Sequence, residues 1–255
     1  MSLLKTKNLC VRIGNINICD NLELDMNAGE SWALLGRNGT GKSTLIHTLA
    51  GLSPAESGDI FINGKNLDNY SRKEIAKKIG VLFQTYNETF PSTVMESTLA
   101  GRHPHLDWLQ WEGKQDIKIA EQSLHQMDLL DLKDRDIHTL SGGEMRRTQI
   151  ACLLTQNPDI ALLDEPSNHL DMHHQIKVLK IFRDLLRDKL IITSLHDINI
   201  ATRFCTHALL LAGDGKTISG KANEILTENN LQRLYGIDLR KISADGESWF
   251  IPRYN

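Results

Sequence analysis

Nine consecutive residues, Gly36, Arg37, Asn38, Gly39, Thr40, Gly41, Lys42, Ser43 and Thr44, follow the spacing G-x-x-x-x-G-K-[ST]. That spacing can hold a chain of phosphates. Gly36, Gly39 and Gly41 allow backbone geometries that a side chain forbids, so successive N–H groups can turn inward as an anion nest. A helix starting at the end of the loop adds the positive end of its dipole. Lys42 supplies a point charge for the outer phosphates. The Ser43 hydroxyl is the expected ligand for Mg²⁺, with Thr44 behind it.

Further along stand Gln84, Asp164, Glu165 and His196, each at the end of an apolar run. Cleaving a terminal phosphate with water needs a phosphate cradle, a metal and a group that orients and deprotonates water. Asp164 suits the metal, directly or through water, and Glu165 suits the general base. His196 suits a hydrogen bond to the γ-phosphate. Gln84 suits a contact with the metal or the water. Acids often cap strands and a histidine after a strand is often only packed or solvated. The phosphate loop upstream tips both toward chemistry.

The elements that must position these groups can be read from the pattern. Residues 31–35 are apolar enough for a buried strand before the loop, and residues 44–50 read as the helix after it. Residues 3–26 alternate: Leu9, Val11 and Ile13 share a face, Ile16 and Ile18 follow a Gly14-Asn15 turn, and Leu22, Leu24 and Met26 repeat the pattern. This predicts a small antiparallel sheet. Residues 59–64 add a strand and turn, and Ser71 with Glu74 forms a capping box for a short helix. Residues 79–83, 160–163 and 190–195 are compact apolar runs that read as buried parallel strands, with ligand chemistry at their carboxyl ends.

Between them, residues 87–157 carry little strand signal. They hold a polar helix with Ile117, Ala120, Leu124 and Met127 at helical spacing. Trp108 and Trp111 read as packing within a helical subdomain. The run Leu140, Ser141, Gly142, Gly143, Glu144 stands before a helix reaching about Gln156. Residues 172–188 predict an amphipathic helix through Ile176, Leu179, Phe182 and Leu186. Residues 207–212 and a Gly213–Gly215 turn continue the sheet, and residues 222–255 read as a helical appendage with a terminal hairpin around Gly246.

The bulk numbers exclude several classes. A chain of 255 residues suits one large domain or a core with an inserted subdomain. Its net charge of −3 gives no reason to expect nucleic acid as a partner. Cys10, Cys19, Cys152 and Cys205 form no C-x-x-C pair and read as thiols in a reducing cytoplasm. The pairs His103/His105 and His173/His174 read as surface or helix-start residues rather than metal ligands. No run of eighteen apolar residues is present, so no membrane-spanning helix is expected, and the N-terminus has no apolar signal core.

The order of these features resembles that of ABC-transporter ATPase subunits: phosphate loop, Gln84, the LSGGE signature at 140–144, the acids closing 159–165, Ser167 to Asp171 and His196. The resemblance covers almost the whole chain. It implies an α/β P-loop NTPase fold of the ABC type, with a mainly parallel core sheet, an N-terminal antiparallel β-subdomain and an inserted helical subdomain. It further implies a single domain over 1–255, with 1–86 and 158–255 as the nucleotide-binding core and 87–157 as the helical signature subdomain. ATP and Mg²⁺ are the implied ligands. The implied assembly is a head-to-tail homodimer around two ATP molecules. In it Ser141, Gly142, Gly143 and Glu144 of one copy face the γ-phosphate held by the other, and Asp171 lies in the loop coupling the two sites.

Gly101, Arg102, His103, Pro104 and His105 are similar to a segment of importer ATPases for iron-siderophore complexes, haem or cobalamin, and in that group it lies near the permease groove. It reads equally as a proline-containing loop between helices. Residues 167–171 and 231–236 are similar to the same group. The implied setting is the cytoplasmic face of the bacterial inner membrane, with two permease copies and an extracytoplasmic solute-binding protein as partners. The alternative is a soluble ABC ATPase that moves nothing, such as an iron–sulfur assembly factor. The chain departs from the family at Arg146, where Gln is usual, at Cys152, where Arg is common, and at the adenine. No Tyr, Phe or Trp precedes Trp32, so the stacking position falls on Ile13 or Arg12, unless an aromatic such as Tyr86 serves instead.

Overall fold

The computed structural model of the chain describes residues 2–84, 91–168, 170–185, 188–244 and 247–253. Tyr86, His169, Leu186 and Gly246 lie outside them. Strands β1 (Ser2–Ile13) and β2 (Ile16–Asn27) form the expected antiparallel hairpin, and β4 (Ser57–Ile62) pairs with β1 on its other side, followed by the short β5 (Lys65–Asn66). The core sheet takes β3 (Ser31–Gly36), β6 (Ile79–Leu82), β7 (Ile160–Asp164), β8 (Leu190–Ser194), β9 (His207–Leu211) and β10 (Thr217–Lys221). Its order is β10-β9-β3-β8-β7-β6, parallel except for the β9–β10 edge.

The period of two explains why this sheet is buried on both faces. In β3, Leu34 joins the cluster that contains Leu45, Ile46 and the N-terminal sheet, while Ala33 and Leu35 join the opposite cluster. In β7, Ile160 and Leu162 face the first cluster, and Ala161 and Leu163 face the helical region. The helices are α1 (Lys42–Leu49), α2 (Arg72–Lys78), α3 (Val94–Leu99), α4 (Lys114–Gln126), α5 (Gly142–Gln156), α6 (Met172–Leu185), α7 (Ile198–Phe204), α8 (Ala222–Ile225) and α9 (Glu228–Tyr235). A terminal hairpin of β11 (Leu239–Ala244) and β12 (Glu247–Pro252) closes the chain.

The fold class is as the sequence implies, with corrections of detail. Ala120, Leu124 and Met127 of the α4 stripe are buried, but Ile117 is 40% exposed, and in α6 Ile176 is likewise half-exposed. Trp108 and Trp111 do not pack inside the helical region: they are 96% and 86% exposed, on the segment between Leu106 and α4. Residues 101–105 are not a loop either. They lie in a 3-10 turn, Ala100–His105, packed on α5. Arg102 pairs with Asp116 at 2.8 Å and donates to the Thr155 carbonyl at 3.2 Å, while His105 Nε2 lies 2.8 Å from the Gln156 carbonyl. Gly101 is required there, since a Cβ would sit 2.3 Å from the Cys152 carbonyl oxygen.

Candidate active site

The loop from β3 to α1 is shaped by its glycines. Gly39 and Gly41 have φ of 80° and 92°, a left-handed backbone that glycine adopts without penalty. Gly36 has no room for a side chain, because a Cβ would lie 2.6 Å from Thr40 Oγ1 and 2.8 Å from the Leu211 carbonyl oxygen. The Thr40 hydroxyl donates to the Arg37 carbonyl at 2.9 Å, which tightens the loop. Lys42 is buried and donates to the carbonyls of Gly36 (2.9 Å) and Arg37 (3.2 Å). Burial pulls its pKa below the usual lysine value, against the opposing pull of the Glu165 and Asp164 carboxylates. A desolvated ammonium of this kind gains from an arriving anion.

Two strand ends bring the acids to this loop. Asp164, the last residue of β7, is 1% exposed and its Oδ1 accepts the Ser194 hydroxyl at 2.6 Å. The same Ser194 oxygen accepts the Glu165 N–H at 2.9 Å, so the last residue of β8 fixes the turn that follows β7. Glu165 has φ of 49°, a left-handed conformation that a non-glycine residue holds only when its surroundings enforce it. Its carboxylate takes donors from three segments: Gln84 Nε2 at 3.1 Å, His196 Nε2 at 2.5 Å from Oε1, and Asn168 Nδ2 on Oε2. Burial pushes the Glu165 carboxyl up, but the hydrogen bonds from His196 and Asn168 and the charges of His196 and Lys42 prevail, leaving it below the ordinary carboxylate range.

Residues far apart in the chain thus share one cavity of about 460 Å³, lined by Ile13, Asn38, Gly39, Gly41, Lys42, Ser43, Thr44, Gln84, Glu165 and His196. Asp164 lies just behind it. Arg37 turns away, donating to the Tyr235 carbonyl in the C-terminal region. Ile13 is on the cavity wall and half-exposed, whereas Arg12 is drawn off to Glu56 at 3.4 Å. The signature residues and Asp171 are not part of this cavity. Ser141 caps α5, with Glu144 in a capping box: Ser141 N–H donates to the Glu144 carboxylate at 2.8 Å and Glu144 N–H to Ser141 Oγ at 3.3 Å. Ser141 and Gly142 face solvent. Asp171 Oδ1 accepts the His174 N–H at 2.8 Å at the start of α6.

Sequence reasoning missed Ser194 and Asn168. A serine closing an otherwise apolar strand beside an acid-tipped strand was the available signal for Ser194. Arg146, which the sequence marks only as a departure from the family, is 3% exposed, and its guanidinium sits directly beneath the Glu165 turn.

Comparison with known proteins agrees with this fold. Residues 19–168 match the family model described as ABC transporter. The ferric enterobactin transport ATP-binding protein of Escherichia coli (strain K12) is 34% identical over 92% of this chain and 87% of its own. The hemin import ATP-binding protein of Escherichia coli O157:H7 is 35% identical over 93% of each chain. Among solved structures, a chain of a metal-chelate type ABC transporter in an inward-facing conformation has a TM-score of 0.85 at 27% identity, covering 100% of this chain and 98% of that one. A dimeric ATP-binding cassette in a post-hydrolysis state, bound to ADP and Pi, has a TM-score of 0.74 at 27% identity, covering 86% and 98%. The chain belongs to the ABC transporter family, as an ATP-binding subunit that hydrolyses ATP. Among the described residues no helix is long and apolar enough to cross a membrane.

Proposed function

We propose that this chain energises a bacterial importer of a metal chelate, of the iron-siderophore, haem or cobalamin class, from the cytoplasmic face of the inner membrane. Two copies would form a head-to-tail dimer and dock on two permease copies, with an extracytoplasmic solute-binding protein delivering cargo. The observation that carries the catalytic part is the convergence of Lys42, Gln84, Glu165 and His196 on one cavity. The transport part is supported by the importers among its relatives, which favour it over an assembly-factor role.

In this reading the loop N–H groups and Lys42 bind the phosphates of ATP. Ser43, Gln84 and Asp164 offer oxygen donors, the set a hard cation such as Mg²⁺ takes. Bound there, Mg²⁺ supplies charge neutralisation for the β- and γ-phosphate oxygens. Glu165, ionised at neutral pH, accepts a proton from water as the water oxygen bonds to the γ-phosphorus and the bond to the β-phosphate oxygen breaks. Gln84 orients that water and His196 hydrogen-bonds the γ-phosphate. Ser141 to Glu144 serve the site of the other copy, which suits their exposure outside the cavity of their own chain. The domain division into 1–86 with 158–255 and an inserted 87–157 belongs to the same reading.

Affinity purification of the tagged chain from detergent-solubilised membranes tests the assignment. A polytopic permease should copurify, and the complex in proteoliposomes should take up an iron or corrinoid chelate only with ATP. Recovery without a permease, and no ATP-dependent uptake, would contradict it.

A further inference from the structure

The buried guanidinium of Arg146 forms five hydrogen bonds. Nη2 donates to the carbonyls of Asp164 (2.7 Å) and Glu165 (2.8 Å), and Nε donates to that of Pro166 (3.3 Å). Nη1 donates to the Phe83 carbonyl (2.5 Å) and to Gln149 Oε1 (3.0 Å). Three successive carbonyls converge on one side chain because the left-handed Glu165 turns the chain there. The fourth carbonyl belongs to the residue before Gln84. One planar fork therefore ties together the ends of β6 and β7, and it does so from α5, the helix whose first turn is capped by Ser141.

We propose that Arg146 is a positioning residue for hydrolysis: it holds the Glu165 turn and the backbone leading to Gln84 in register with the signature helix. The inference rests on the reading of Glu165 as the general base. A Gln at this position reaches two atoms less far and has two N–H donors against five, so it cannot bridge both strand ends. With the bridge gone, the Glu165 turn keeps Ser194 but loses its tie to α5. A shift of α5 then no longer carries the base with it. Burial lowers the Arg146 pKa to about 10, with Asp164 and Glu165 pulling the other way, so the clamp stays charged at neutral pH.

The test uses the full chain with Arg146→Gln and Arg146→Lys, each alone and combined with Glu165→Gln. Thermal melts, ATP binding and steady-state kinetics are measured on each. Misplacing a catalytic group by about an ångström costs up to roughly 100-fold. Arg146→Gln should thus lower kcat by about 10- to 100-fold with KM for ATP within about threefold. Arg146→Lys, which keeps the charge, should recover part of the loss. In the Glu165→Gln background neither change should lower kcat further. A folded Arg146→Gln with kcat within about twofold of wild type overturns the inference, as does a full loss repeated on top of Glu165→Gln. If Arg146→Gln does not fold, Arg146→Lys decides on the same criteria. Normal turnover by Glu165→Gln alone removes the base assignment itself, and this inference with it. Loss in Glu165→Gln beside normal kcat in Arg146→Gln removes only the inference.

Discussion

His196 Nε2 lies 2.5 Å from Glu165 Oε1, so the second residue after β8 is hydrogen-bonded to the residue after β7. A charge-assisted hydrogen bond is worth about 1.5–3 kcal/mol. His196→Ala removes the hydrogen bond proposed to the γ-phosphate in the transition state and should lower kcat by roughly 10- to 150-fold. It also removes an influence that lowers the Glu165 pKa, so the acid limb of the kcat–pH profile should move to higher pH. An unchanged acid limb would place the titrating base elsewhere.

The same contact predicts a stability effect with a definite sign. The folded-state pKa of Glu165 lies below its ordinary value of 4.5. Its ionised form thus contributes stability above that value, and the contribution fades as pH falls through the folded pKa. The stability difference between wild type and Glu165→Gln should shrink on acidification below pH 4.5. Denaturant melts across that range measure it.

Ile13 lies on the cavity wall, at the position proposed to meet adenine. Ile13→Tyr should tighten MgATP by up to about 1–2 kcal/mol, because base–aromatic stacking is typically worth about 1–3 kcal/mol. Wild type should discriminate poorly between MgATP and MgGTP. Arg12 is occupied by Glu56, so Arg12→Ala should leave both affinities unchanged. Equal affinities in wild type and Ile13→Tyr would show that residue 13 does not meet the base.

On the helical side, Arg102 and its neighbours call for separate treatment. The Arg102–Asp116 pair is 2.8 Å long, with side chains only 15% and 13% exposed. Breaking such a pair costs about 3–5 kcal/mol. Arg102→Glu should lower the melting temperature and cannot report on docking. His103, Trp108 and Trp111 are exposed, so changes there to Ser should leave basal ATPase intact. If this face meets the permease, those changes should weaken membrane association, measured by flotation with permease-containing vesicles.

The phosphate loop and the strand ends were legible in the sequence because they obey local rules. Glycine and lysine spacing specifies the loop, and an apolar run ending in a polar residue specifies a strand tip of an α/β sheet. The capping box of Ser71 and Glu74 at α2 was equally local. What escaped depends on which segments meet. Ser194 and Asn168 gain meaning only beside Asp164 and Glu165. Arg146 sits in a helix, and nothing nearby in sequence reveals the carbonyls it meets. The 3-10 turn at 100–105 follows from contact with α5, and the exposure of Trp108 and Trp111 likewise depends on which segments meet.

Turnover and binding of MgATP by Glu165→Gln, measured on one preparation, test the account at its centre. Glutamine keeps the shape, and its amide oxygen can still accept from Gln84, but its NH2 cannot accept from His196 and it cannot take a proton from water. Hydrolysis should fall by roughly 10²–10⁴-fold, the usual size of a general-base contribution. ATP affinity should be retained, and the trapped nucleotide should hold a dimer on size exclusion. Near-normal turnover, or a monomer at every ATP concentration, would contradict the account.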